Sequence, residues 1–129
     1  MQLGNKGFSN YDIMNYTNDL FLQTFGNSLA SVNFYYSENV MGSFKLTYKY
    51  LPRDYKIEFE YDRLYFEILI FRKEGEKSST SLMNPSKNEE YLNLEKSKIK
   101  KEIKLLHEML VNNKESFYTY KDNKLVKVD

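Results

Sequence analysis

The sequence has no cysteine and a single histidine, His107. Without thiols there is no disulfide, no thiol nucleophile and no thiolate zinc site. One imidazole excludes a His-pair metal site and leaves one candidate for acid–base work. The five glycines, Gly4, Gly7, Gly26, Gly42 and Gly75, fall into neither G-x-G-x-x-G nor P-loop spacing, so no phosphate-cradling loop is expected. No apolar run nears the ~18 residues that cross a bilayer. An excess of one charge is missing too. The 19 Lys+Arg and 18 Asp+Glu leave a net charge of +1, which gives no reason to expect a nucleic-acid coat or an acidic tail. Met1-Gln2-Leu3-Gly4-Asn5 leads into polar sequence rather than an apolar signal core, so a cytoplasmic protein is expected. There is no repeat, linker or low-complexity stretch, and 129 residues suffice for one modest core. The expectation is one domain spanning 1–129.

What is abundant is Lys, Asn, Tyr, Phe and Ile, together 56 of 129 residues. Their codons are A/T-rich, which points to a low-GC genome. Codon bias that fills a core with Phe and Tyr accounts for the aromatic excess. Tyrosines on a binding face, where a rigid amphipathic ring supplies contact area at low entropic cost, are the alternative.

Ile13, Tyr16, Thr17, Leu20, Phe21 and Thr24 recur at three- and four-residue spacing, which predicts a helix over 10–25. Ser9 or Asn10 caps it, Asp12 suits its first turn, and Gly26 suits its left-handed stop. The middle of the chain has period two. Val32, Phe34 and Tyr36 alternate with Ser31, Asn33 and Tyr35. Phe44, Leu46, Tyr48 and Tyr50 alternate with Ser43, Lys45, Thr47 and Lys49. After a turn at Leu51-Pro52-Arg53-Asp54 come Tyr55, Ile57, Phe59 and Tyr61, and beyond Asp62-Arg63 come Leu64, Phe66, Ile68 and Ile70. Such runs predict an antiparallel meander. Pairing across the first turn sets Leu46 opposite Phe59. Pairing across Asp62-Arg63 sets Phe59 opposite Phe66 and Glu58 opposite Glu67, with Glu60 between Tyr65 and Lys45. Both hairpins then share one apolar face.

Ser78–Leu82 reads as a short edge strand. Ser86-Lys87-Asn88-Glu89 matches a capping box ahead of a long helix with the stripe Leu92, Ile99, Ile103, Leu106 and Leu110, ending near Asn112-Asn113. Phe117–Tyr120 and Leu125–Val128 read as a hairpin or a frayed tail. The fold class is therefore α+β: an antiparallel meander sheet of four to five strands with a short N-terminal helix and a long C-terminal helix.

His107 beside the helix stripe reads as a rim residue, so no catalytic residue, cofactor or metal site is expected. The Lys run from Lys96 to Lys104 is interrupted by Glu102 and reads as a solvated helix face. Gly42-Ser43-Phe44-Lys45-Leu46-Thr47-Tyr48 echoes a base-stacking strand of RNA-binding sheets, but its Phe44 and Tyr48 fall on the core face. The candidate site is the other sheet face, with Glu58, Glu60, Tyr65 and Glu67 beside Leu69 and Phe71. Carboxylates so close repel one another, and an acidic–aromatic surface suits a basic protein partner. A helix covering part of the face, with the charges splayed, is the structural alternative. Acid–base chemistry by the paired carboxylates is a further one.

The opening helix, the meander from Phe44 to Phe71 with its Tyr61-Asp62-Arg63-Leu64-Tyr65-Phe66-Glu67-Ile68 segment, and the closing helix resemble the small immunity proteins of bacterial polymorphic toxin systems. The likeness spans most of the chain and is one of pattern. It implies a non-enzymatic inhibitor that binds one cognate toxin. The near-neutral charge means that the toxin need not be a nuclease. An inhibitor encoded by a phage or mobile element and a nucleic-acid-binding domain are the competing readings. No membrane partner is expected, and the oligomeric state is left open.

Overall fold

The computed structural model describes residues 10–37, 43–62, 65–72, 79–81 and 96–128. Helix α1 runs Asn10–Phe25, with Asp12 in its first turn. It stops at Gly26, whose φ of +57° is open to glycine at little cost. A single 3-10 turn, Gly26–Ser28, leads into β1, Leu29–Ser37. Strands β2 (Ser43–Tyr50), β3 (Tyr55–Asp62) and β4 (Tyr65–Phe71) complete the expected meander. A short β5, Ser79–Ser81, precedes helix α2, Lys96–Val111, and the chain ends in β6, Phe117–Lys121, and β7, Lys124–Val128. The capping box at Ser86–Glu89 and Leu92 of the stripe lie outside the described residues.

The seven described strands join one antiparallel sheet in chain order, β1 to β7. The sheet is wider than the meander alone because the C-terminal hairpin docks onto it. The β5 strand pairs with β4 on one side and, through Ser79 and Tyr118, with β6 on the other. It is therefore an internal strand and not the edge that its sequence suggested. Asp122 and Asn123 both take positive φ, 54° and 66°, as a two-residue hairpin turn demands. That resolves the C-terminal segment as a hairpin.

Two register details differ from the sequence reading. Across the first turn the pairs are as expected, with Leu46 opposite Phe59 and Tyr50 opposite Tyr55. Between β3 and β4 the pairing closes at Asp62 and Tyr65, so Phe59 faces Ile68 and Ile57 faces Ile70. The shift is two residues. A shift of two preserves which face each side chain takes, so apolar alternation cannot detect it. In β1 the register to β2 steps between Ser31 and Asn33. Val32 is the extra residue of a bulge. It leaves the apolar alternation expected of it and is exposed.

Both helices pack on one face. Phe21 of α1 sets its ring 4.6 Å from Tyr48 and 6.0 Å from Phe59. Ile99, Ile103, Leu106 and Leu110 of α2 join the same buried cluster as Phe44, Leu46, Ile57, Phe59, Phe66 and Ile68. Within the sheet Phe44, Phe59 and Phe66 stack in a row, 5.8 and 5.1 Å apart. Thr17 and Asn18 are the polar members of the α1 contact. The Thr17 hydroxyl donates to the Ile13 carbonyl, and Asn18 Oδ1 accepts from the buried Tyr48 hydroxyl at 2.7 Å.

Candidate functional site: the outer face of the sheet

With the core residues of β2, β3 and β4 turned toward the helices, strand alternation turns Lys45, Thr47, Lys49, Lys56, Glu58, Glu60, Glu67, Leu69 and Phe71 the other way. No helix among the described residues packs on this side. Glu60 sits between Lys45 on β2 and Glu67 on β4. It draws Lys45 to 3.7 Å, with both side chains nearly half exposed. Such a pair contributes about 0–1 kcal/mol. Crowding by neighbouring side chains, and secondly the Glu60 carboxylate, push the Glu67 pKa above the usual carboxylate value, although the residue as a whole is open to solvent.

The expected Glu58–Glu67 opposition is therefore corrected. Glu67 faces Glu60, and Glu58 faces Leu69 on β4 and Thr47 on β2. Glu58 is largely buried and meets Lys56 at 3.2 Å. The Lys56 ammonium in turn lies 4.5 Å from the centre of the Phe71 ring, a favourable cation–π arrangement. The three carboxylates share a face, yet lysines answer two of them. The backbone register places Tyr65 opposite Asp62, at the start of β4; its side chain lies outside the described residues. The unrelieved feature is thus narrower than the sequence suggested. It is Glu67, set opposite a Glu60 that Lys45 already answers, beside the half-buried Leu69 and Phe71.

The lysines of α2 differ along the helix: the Lys96 ammonium lies 4.8 Å from the centre of the Tyr16 ring, and Lys98 is half-buried. Lys100, Lys101 and Lys104 point to solvent around a shallow depression shared with Leu105 and Glu108. His107 is half-buried and meets Phe25 edge-on at 5.0 Å. Glu102 is different: its Oε1 is buried without a hydrogen-bond partner. Burial raises its pKa, and Lys101 opposes that shift. Among the described residues no group of three imidazoles or carboxylates is placed to hold a metal ion. No helix there is long and apolar enough to cross a membrane.

A second polar cluster went unread in the sequence. Arg53, in the β2–β3 turn, donates to Glu115 Oε2 at 2.7 Å and to Asn113 Oδ1 and the Leu110 carbonyl. Its guanidinium lies 5.6 and 5.4 Å from the ring centres of Tyr50 and Tyr55. The Tyr55 hydroxyl also donates to Glu115 Oε2, at 3.0 Å. Burial, then the Glu115 bond and charge, raise the Tyr55 pKa against the opposing pull of Arg53 and Arg72. Asn113 at φ 57° ends α2, and the amides of Asn113 and Lys114 return to the carbonyls of Leu110 and Met109 in a Schellman stop. Arg53 thus neutralises the negative end of α2. Its partners lie about sixty positions away, so no local pattern announces them. The arrangement is a structural clasp between turn and helix.

Comparison with protein-family models, curated protein sequences and solved structures finds no match to this chain.

Proposed function

We propose that this chain is a non-enzymatic, protein-binding inhibitor: an immunity protein that neutralises a cognate toxin in the cytoplasm of the bacterium that makes it. The observation that supports the reading is the Glu60–Glu67 pair, two carboxylates directly opposed across β3 and β4 on a face that no described helix covers. Folding gains nothing from that opposition. An Arg or Lys from a partner relieves it, and Arg does so bidentately. Leu69 and Phe71 alongside offer apolar area that is already half-buried, and the register places Glu58 and Tyr65 on neighbouring positions of the same two strands. A carboxylate pair with apolar flanks fits a basic, partly apolar protein surface. Complementary charge of this kind speeds encounter and rejects wrong partners.

The test starts with capture of the bound protein from the producing cell and its expression alone in a heterologous host. The expected result is growth arrest that co-expression of this chain relieves. Glu67→Lys places a like charge against the partner's cation and is expected to weaken binding by about a hundredfold or more. Protection and binding that survive Glu60→Lys/Glu67→Lys unchanged overturn the assignment of this face. A captured protein that is harmless on its own overturns the immunity function.

A further inference from the structure

Among the described residues the β1 strand forms one end of the sheet, with β2 as its sole neighbour in the strand order. An edge strand offers a row of backbone donors and acceptors to any other chain, and proteins usually guard such edges with charge, above all lysine. The two edges of this sheet differ in that respect. At the far end, β7 carries Lys124 and Lys127, both exposed. The β1 strand, Leu-Ala-Ser-Val-Asn-Phe-Tyr-Tyr-Ser, carries no charge, alone among the described strands of five or more residues. Its large side chains are open as well: Val32 is 60% exposed, Phe34 41% and Tyr35 56%. Tyr11 of α1, 53% exposed, meets Tyr36 edge-on at 5.5 Å and continues the apolar patch onto the helix layer.

We infer that β1 is a self-association edge, and that its occupant is β1 of a second copy of this chain, paired antiparallel about a two-fold axis at Tyr35. The charge pattern selects this occupant. About a two-fold axis every residue near the centre faces a copy of its own neighbourhood. Any charge there meets its like, which an uncharged strand alone avoids. Lys45, across β2 from Tyr35, is already engaged by Glu60 at 3.7 Å. The bulge at Val32 kinks the first third of β1 and confines regular pairing to the stretch beyond Asn33. An axis at Tyr35 centres that stretch. It sets Phe34 across from Tyr36 of the second copy, twice over, on the helix side, where Phe34 already rests on Tyr48 at 5.8 Å. Aromatic cross-strand pairs are among the stabilising ones. The lysines on β7 disfavour head-to-tail joining of β1 to β7, so association closes at a dimer with a continuous fourteen-stranded sheet, twice the seven strands of one copy.

The experiment is sedimentation equilibrium of the full chain from about 1 to 100 μM, with wild type, Tyr35→Lys and Val126→Lys. The expected result is a concentration-dependent dimer, weakened about tenfold or more by Tyr35→Lys and untouched by Val126→Lys on the β7 edge. The thermal melt of Tyr35→Lys at low concentration is expected to match wild type, because the residue is exposed. Orientation is read from Tyr35→Cys in this cysteine-free chain. Residues directly opposed across an antiparallel pair have Cα atoms about 4.5–5.5 Å apart, within disulfide reach. Mild oxidation is expected to cross-link this variant and to spare Val126→Cys. A wild type that stays monomeric throughout overturns the inference, as does a dimer that Tyr35→Lys leaves intact or that Val126→Lys dissolves. A dimer in which Tyr35→Cys does not cross-link overturns the axis at Tyr35.

Discussion

Phe59→Ala probes the centre of the core. Phe59 has no exposed surface. Its ring stacks on Phe66 at 5.1 Å and Phe44 at 5.8 Å, and Phe21 of α1 meets it edge-on at 6.0 Å. Removal forfeits the burial of a phenyl ring, about 2–3 kcal/mol. Contacts to three rings, each about 0.5–1.5 kcal/mol, go with it. The hole is walled by two strands and a helix and closes only in part. The expected cost is about 4 kcal/mol, inside the range of about 3–5 kcal/mol for buried Phe→Ala. A domain of this size has about 5–15 kcal/mol in all, so the variant folds but with a small margin. At roughly 4 °C per kcal/mol for such a chain length, its Tm falls by about 15 °C. Urea unfolding followed by far-UV circular dichroism measures the loss. Leu51→Ala, an exposed turn residue, serves as control and is expected to stay within about 0.5 kcal/mol of wild type. A loss below about 1 kcal/mol for Phe59→Ala refutes the stacked row and the placement of the helices over it.

Arg53→Ala strands a carboxylate. The Glu115 side chain is 7% exposed, and without the guanidinium, among the described residues, only the Tyr55 hydroxyl still donates to it. The expected loss is about 3 kcal/mol in urea unfolding, and Arg53→Lys does not restore it, because an ammonium cannot span the Leu110, Asn113 and Glu115 acceptors at once. Glu67→Gln acts in the opposite sense. A carboxyl whose folded-state pKa is raised is destabilising when ionised, so wild type loses stability as pH rises through that value. Glu67→Gln is therefore expected to gain about 0.2–1 kcal/mol at pH 7. The gain disappears below about pH 4, where Glu67 is protonated in both folded and unfolded states. Thermal melts across that range check both the sign and the window.

Period-two alternation sufficed for the meander, because a strand with one buried face must repeat its apolar residues at every second position. The Leu46–Phe59 pairing followed from the short turn at 51–54. Helix α1 was legible to the residue, since Gly26 marks the one place where its backbone turns left-handed. The α2 stripe from Ile99 to Leu110 was equally plain. The candidate face followed from the same alternation, and with it Glu58, Glu60 and Glu67.

What alternation cannot carry is any shift by an even number of residues. The two-residue difference between β3 and β4 moved Glu58 from Glu67 to Leu69 and Glu60 from Tyr65 to Glu67, while the described side chains kept their expected faces. Only the closing of the hairpin at Asp62 and Tyr65 decided that Glu67 meets Glu60. The bulge at Val32 is likewise a fit between the edge strand and its neighbour, with no motif of its own. The side of the sheet that both helices share, the hairpin docked onto β5, and the grip of Arg53 on the end of α2 join residues tens of positions apart. Local spacing determines what one element can bury, because backbone geometry repeats within a few residues. Which elements meet depends on the burial and pairing available once the whole chain is compact, and that choice belongs to the tertiary structure alone.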